Sequence, residues 1–118
     1  MHKLFNNILI PVRFTTASEK LIEKGIELAN LYRCNIHLLY IASISSISSS
    51  MITRSWSFFQ KVRNEDSKEL ERMLNKLTDR YAAKLHHGLK IVSSIEKGGR
   101  NEIAVNYILQ NNIDLVLD

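Results

Sequence analysis

The sequence predicts an α/β domain built on a doubly wound, Rossmann-like parallel sheet. Short apolar runs such as Ile8–Ile10 have no polar alternation, which is typical of strands covered on both faces. Segments with the apolar spacing of amphipathic helices lie between these runs. Because 118 residues with 45% hydrophobic and 24% charged side chains are ordinary for one globular domain, we expect residues 1–118 to form a single unit. Four strands alternating with three helices define this class.

The first strand and the turn after it are the most informative segment. The run Ile8–Ile10 stops near Pro11, which has no N–H to donate to a sheet. Thr15, Thr16 and Ser18 then offer N-cap hydroxyls, and Thr16 with Glu19 fits a capping box at the start of a helix. In parallel sheets the carboxyl end of a strand and the amino end of the next helix face the ligand crevice. We therefore expect the functional site at this turn.

A helix and a second buried strand follow. The apolar stripe of the helix consists of Leu21, Ile22, Gly25, Ile26, Leu28, Ala29 and Tyr32. Gly25 within this stripe indicates a close approach of helix and sheet, because glycine costs about 1 kcal/mol in a helix relative to alanine. Residues Ile36–Ala42 form the second strand at a distance that suits a right-handed crossover. The lone Cys34 before it is expected to be a small buried hydrophobic residue in a reducing compartment.

The second half of the chain continues the alternation. Six serines between positions 43 and 50 predict a flexible loop over residues 43–55. A long helix is predicted from Ser57 to His87, with Gly88 as its C′ residue. The third strand, Lys90–Glu96, has more polar alternation than the first two, which favours a sheet edge.

The last predicted elements are a short helix and a fourth strand. After a Gly98-Gly99 turn, a helix over Asn101–Gln110 is expected to bury one apolar face, and Ile113–Asp118 forms the strand. The face of that helix comprises Ile103, Ala104, Tyr107 and Ile108.

Charge and composition argue against several function classes. The net charge is +4 and the pI is near 9.3, but between Lys61 and Lys84 the cations interleave with carboxylates, as on a solvated helix face. We therefore do not expect a nucleic-acid partner. No apolar stretch reaches the about 20 residues that a membrane span requires, and the amino terminus does not resemble a signal peptide. A cytoplasmic location is the expectation.

Dedicated catalytic and metal sites are not expected either. The adjacent His86 and His87 would diverge by about 100° around a helix axis, which is unsuitable for chelating one ion. No Ser-His-Asp set can be assembled from the spacing, and no Gly-x-Gly-x-x-Gly or P-loop pattern occurs. Asp118, at the end of the last strand, remains a candidate contact for a ligand or Mg²⁺.

Several segments taken together resemble universal stress protein domains. The segments are residues 7–18, from Asn-Ile-Leu-Ile-Pro-Val to Ser18, then Ile36–Ile41, the turn and helix start at 98–103, and Ile113–Leu117. The similarity covers essentially the whole chain, apart from the Ser-rich loop. It implies a five-stranded parallel sheet in the order 3-2-1-4-5, a dimer, and a binding and signalling role in the stress response without catalysis.

The resemblance also implies where a ligand would lie. Some members of the family bind ATP, and the matching positions here are Pro11, Val12 and Arg13 at the end of the first strand and Ile41 in the second. The chain departs from the binding members in two ways. Position 13 is Arg13 rather than Asp, and the glycine-rich phosphate loop, its helix and the fifth strand are absent. No cofactor is implied with certainty, although ATP or another adenine nucleotide would suit a full-length form of a truncated chain.

Two further expectations follow from the resemblance. With strand order 3-2-1-4, the fourth strand is an apolar edge at Leu115–Leu117, and such edges recruit other strands. We therefore expect a homodimer or further self-association through this edge or the uncovered sheet face. The alternative function is an enzyme of the adenine-nucleotide α-hydrolase-like superfamily that uses the same crevice. That function requires a glycine-containing phosphate loop, whereas the turn Phe14–Ser18 has no glycine.

Overall fold

The computed structural model describes residues 6–42 and 56–118, and for residues 56–67 it describes the backbone alone. Its elements are β1 (Asn7–Pro11), α1 (Thr16–Tyr32), β2 (Asn35–Ala42), α2 (Trp56–Ala82), β3 (Ile91–Lys97), α3 (Arg100–Gln110) and β4 (Leu115–Val116). The Ser-rich loop predicted over 43–55 lies outside the described residues.

The four strands form one sheet with the order β3-β2-β1-β4. Every pair of neighbouring strands is parallel. The predicted fold class and strand order are therefore confirmed, as is the edge position of β3. In the register of the sheet, Leu9 of β1 lies between His37 of β2 and Val116 of β4.

Helices α1 and α2 cover one face of the sheet and enclose the main core. The fully or nearly fully buried members of that core are Ile8, Ile10, Val12, Ile22, Ile26, Ala29, Cys34, Ile36, Leu38, Leu74, Leu77 and Tyr81. The alternation of β1 and β2 places Ile8, Ile10, Ile36 and Leu38 on this face, as expected for strands. Burial of Cys34 confirms its predicted role as a small apolar residue.

The opposite face carries Leu9 and Leu39, which are both fully buried, and it lies against α3. Helix α3 has no buried residue, although a buried apolar face was predicted for it. Its residues Ile103, Ala104, Tyr107 and Ile108 are half-buried. The reason is that, among the described elements, α3 is the one helix on this face, so its flanks remain open to solvent.

The close approach predicted at Gly25 is confirmed. An ideal Cβ built on Gly25 would lie 2.5 Å from Cδ1 of Ile10 and 3.5 Å from Cδ1 of Leu117. Ordinary carbon contacts are about 3.5–4.0 Å. Helix α1 therefore packs against β1 and the end of β4 at a distance that leaves no room for a side chain at this position.

The cap of α1 is the first of the three hydroxyl residues predicted as candidates and lies one residue before the Thr16 of the predicted capping box. Thr15, not Thr16, is the N-cap, and its Oγ1 accepts a hydrogen bond from the backbone N–H of Ser18 at 3.2 Å. The Oγ of Ser18 in turn accepts from the N–H of Arg13 at 2.8 Å. Ser18, the third residue of α1, thus satisfies the backbone N–H of Arg13, which lies before the helix. This bond favours a helix that starts at Thr16 with Thr15 as its cap.

Helix α2 ends at Ala82, five residues before the predicted end at His87. Asn30 of α1 explains the early end. Its side chain donates to the carbonyl of Lys84 at 3.1 Å and accepts from the N–H of His86 at 2.8 Å. These bonds hold the segment after Ala82 against α1 in a non-helical conformation. Gly88, with φ of +89°, therefore lies in a loop and is not the C′ residue of the helix.

Strand β4 comprises Leu115–Val116 and is shorter than the predicted strand over 113–118. Asp114 precedes it, and the Oδ2 of Asp114 accepts from the backbone N–H groups of Asn6 and Asn7 at 2.7 and 3.0 Å. This side chain therefore ties the start of β1 to the start of β4. Within the described ranges, none of the helices is long and apolar enough to span a membrane.

Candidate functional site

A cleft of about 480 Å³ opens at the carboxyl edge of the sheet. It lies beside the end of β1, between the β1–α1 turn, the end of β2 and the pair formed by Arg100 and Asp118. The four residues predicted at the site from the sequence, Pro11, Val12, Arg13 and Ile41, all line this cleft. The structure therefore brings them together, and their role in binding remains a prediction.

The turn at the base of the cleft is fixed by backbone hydrogen bonds. The N–H of Val12 donates to the carbonyl of Leu39 at 2.9 Å, which extends the β1–β2 ladder by one residue beyond β1. The N–H of Arg13 donates to Ser18, whose side chain is buried. Thr15 completes the turn as the cap of α1. The serine and threonine pattern after Pro11 thus serves to hold the backbone of Arg13 in place.

Arg13 contributes to the lining of the cleft a positive charge that has no partner among the described residues. The residue is exposed, and no carboxylate or hydrogen-bond acceptor among the described residues contacts its guanidinium. A guanidinium offers five N–H donors in a planar arrangement that matches a carboxylate or a phosphate. This part of the cleft is therefore suited to an anionic group.

A second cation, Arg100, was not recognised from the sequence. It is the first residue of α3, and its Nη2 donates to both carboxylate oxygens of Asp118 at 3.2 and 3.4 Å. Both side chains are more than half exposed, so the pair contributes little to stability. The sequence suggested Asp118 as a contact for a ligand or Mg²⁺. In the structure its carboxylate forms an ion pair with Arg100. The sequence feature that could have indicated Arg100 is the Gly98-Gly99-Arg100 turn, which leads from the end of a strand into a helix.

An aromatic pair forms an apolar wall of the same cleft. The rings of Phe14 and Tyr40 are stacked, with centroids 5.4 Å apart and planes at 29°. Both residues line the cleft. Together with Pro11 and Ile41 they give the cleft an apolar lining, and Arg13 lines the same cleft. The cleft thus combines a surface for a planar ring with a cation for an anion.

His37 lies towards the amino end of β2, away from the cleft. Its Nδ1 is 2.9 Å from the hydroxyl of Tyr107, and its Nε2 is 3.2 Å from Oδ1 of Asn7. The Nδ2 of Asn7 donates to the carbonyl of Asn112, so Oδ1 faces His37 as an acceptor. The proton of the neutral imidazole is then on Nε2, and Nδ1 accepts from the tyrosine.

This network joins β1, β2 and α3. Burial lowers the pKa of His37 below its usual 6.5. Burial, with a smaller effect of the Glu96 carboxylate, raises the pKa of Tyr107. Both shifts favour the neutral forms that the hydrogen bonds require. In the part of the chain that the structure describes, no group of three His, Cys, Asp or Glu side chains is placed to hold a metal ion.

Comparison with solved structures identifies the same fold in other proteins. Hypothetical protein MJ0577 superposes with a TM-score of 0.77 at 18% identity, covering 97% of this chain and 74% of its own. The universal stress protein UspA of Lactobacillus plantarum gives 0.73 at 18% identity, covering 95% and 74%. A universal stress protein in complex with cAMP gives 0.65 at 10% identity, covering 95% and 70%.

Comparisons based on sequence find no match, in contrast to the structural comparisons. No protein-family model matches the chain, and no curated protein is significantly similar in sequence. Identities of 18% and below establish the fold and not the activity. The chain therefore has the fold of universal stress proteins and spans roughly three quarters of the length of these structural neighbours.

Proposed function

We propose that the chain is a binding domain of the universal stress protein type that takes a small nucleotide-like ligand in the cleft and catalyses no reaction. The observation that carries the proposal is that Arg13, whose guanidinium has no partner in the described part of the chain, lines the same cleft as the Phe14–Tyr40 pair. A nucleotide has a planar base that an apolar wall accommodates and a phosphate that an arginine recognises.

The identity of residue 13 bears on which nucleotide is favoured. A carboxylate at this position, as in the ATP-binding members that the sequence resembles, would repel a phosphate brought close to it. Arg13 attracts one, and it is a single flexible side chain rather than a loop of backbone donors. A cyclic nucleotide, which carries one phosphate with one negative charge, suits a single guanidinium. One structural neighbour is a universal stress protein in complex with cAMP, which supports cAMP as the first ligand to test.

The test is calorimetric titration of the protein with cAMP, ATP and adenosine. We expect cAMP to bind and Arg13→Gln to weaken that binding about tenfold, because charge-assisted hydrogen bonds to phosphate are among the stronger polar contacts. Adenosine, which has no phosphate, should bind the wild type and the variant equally. Arg72→Gln is the matched control, since Arg72 is exposed, lies on α2 and does not line the cleft.

Two results would contradict this function. The first is the absence of heat for all three ligands. The second is equal cAMP affinity of the wild type and Arg13→Gln, because the phosphate would then not lie at the guanidinium on which the proposal depends.

We also propose that two copies associate through the edge of β4. Val116 lies on this edge with 40% of its surface exposed, whereas Leu115 and Leu117 are half-buried against the core. An exposed strand edge offers unpaired backbone groups to a second strand. Light scattering should show a dimer that Val116→Lys converts to a monomer, and a monomeric wild type at high concentration would refute the association. A cytoplasmic role in stress signalling follows from the proposed family membership.

A further inference from the structure

A second cavity lies on the other side of the β1–α1 turn, between α1 and α2, with a volume of about 350 Å³. We propose that this α1–α2 pocket binds a phosphate or diphosphate group of a small anionic molecule. Three cationic side chains line the pocket against one carboxylate, Glu19, which leaves a local charge of +2. The three cations are Arg13, Lys76 and Arg80.

Arg80 is held in position by contacts from both helices. Its Nη1 donates to Oε1 of Glu19 on α1 at 3.1 Å, and its guanidinium lies 5.8 Å from the ring centroid of Tyr81. Glu19 is therefore already engaged. Its carboxylate compensates one of the three positive charges and leaves the other two without a partner.

Lys76 is one helical turn before Arg80, so the two cations lie on the same side of α2. Like charges four residues apart destabilise a helix. No ion pair or hydrogen bond of the Lys76 ammonium occurs among the described residues, and the same is true of Arg13. Among the described residues only Arg80 has favourable contacts that offset the convergence of three cations on one cavity, whereas an anion in the cavity would attract all three.

The remaining walls of the pocket restrict the kind of ligand that it could hold. Phe14, Met73 and Leu77 line it with apolar surface, which disfavours a fully hydrated ion and suits a phosphate carried by a small organic group. Only Arg13, Phe14 and Thr15 are shared with the cleft. Lys76 and Arg80 do not line the cleft, so this site differs from the proposed nucleotide site in two of its three cations and shares Arg13 with it.

The experiment is a titration of the ¹⁵N-labelled protein with inorganic pyrophosphate at constant ionic strength, followed by amide chemical shifts. We expect saturable shifts at Met73, Lys76 and Leu77. Lys76→Gln should weaken the apparent affinity about tenfold, as expected for the loss of a charge-assisted contact to phosphate. Lys68→Gln is the matched control: it removes the same charge from an exposed position of α2 outside the pocket.

The outcomes separate a site from general attraction to a basic surface. Equal weakening by Lys76→Gln and Lys68→Gln, or shifts that never saturate, would overturn the proposal. So would saturable shifts confined to Ile41 and Arg100, since those residues line only the cleft. Pyrophosphate binding at α2 together with a failure of cAMP to bind would uphold the pocket and reject the proposed nucleotide site.

Discussion

Substitution of Gly25 by alanine tests how closely α1 is packed on the sheet. The new Cβ would lie 2.5 Å from Cδ1 of Ile10, so one of the two atoms must move by about 1 Å to reach normal contact distance. Overpacking of this kind costs about 1–3 kcal/mol, and the higher helix propensity of alanine returns about 1 kcal/mol. We expect Gly25→Ala to lower the free energy of unfolding by up to about 2 kcal/mol.

A double-mutant cycle isolates the steric part of this effect. Ile10→Val removes Cδ1 and should cost about 0.5–1.5 kcal/mol by itself. In its background Gly25→Ala should become neutral or stabilising, since the nearest obstacle is gone. Ile8→Val is the matched control, because Ile8 is equally buried on the same strand but lies outside the contacts of the Gly25 position. Urea denaturation of the single and double variants measures each term. The reasoning would be refuted if Gly25→Ala alone raised the free energy of unfolding by the full difference in helix propensity. It would also be refuted if the double-mutant cycle showed no coupling between Gly25→Ala and Ile10→Val.

Three further substitutions test polar contacts outside the cleft. Because the pKa of His37 is below its unfolded value of 6.5, the unfolded chain binds more protons as the pH falls below 6.5. The stabilisation is therefore complete above that pH and lost below it. Urea midpoints should fall from neutral to acidic pH in the wild type but less in His37→Gln, and parallel profiles would exclude His37 as the cause. Asn30→Ala should cost about 1 kcal/mol by removing two hydrogen bonds to the segment after α2, and amide exchange should quicken in that segment rather than globally. Asp114→Ala should cost about 1 kcal/mol through loss of both bonds to the start of β1, and unchanged thermal unfolding would show that those bonds contribute nothing.

The sheet was predictable from the sequence because its central strands carry uninterrupted apolar runs. A run such as Ile8–Ile10 is typical of a strand buried on both faces, and the helical segments between such runs favour parallel crossovers over a sandwich. Helix ends were less predictable. Both Thr15 and Thr16 can cap α1, and the choice depends on the bond between Ser18 and Arg13, which is a feature of the folded turn. The apolar period of α2 continues past Ala82, and the sequence does not reveal that Asn30 of another helix ends it.

The candidate site was half predictable for a related reason. The rule that ligands bind at the carboxyl ends of parallel strands predicts the edge of the sheet, and the resemblance to universal stress proteins supplied Pro11, Val12, Arg13 and Ile41. Arg100 and the partner ring of Phe14 come from other elements, and their arrival depends on strand order and register. The α1–α2 pocket was not predictable from local patterns. Arg13 is more than 60 positions from Lys76 and Arg80, and those two lie among alternating charges that resemble an ordinary solvated helix face.

The cleft lies at the point where the order of strand addition in the sheet reverses, beside β1. From β1 the chain adds β2 and then β3 on one side, and it returns across the opposite face through α3 to place β4 on the other side. The connection leaving β1 therefore lies on the α1 face and the returning connection on the α3 face, so neither covers the carboxyl edge beside β1. Arg13 and Arg100 begin or precede helices on these two opposite faces, and each reaches the same opening. A positive crevice at this point thus results from the strand order together with two side chains, and either cation can be changed without disturbing the buried strands beneath it.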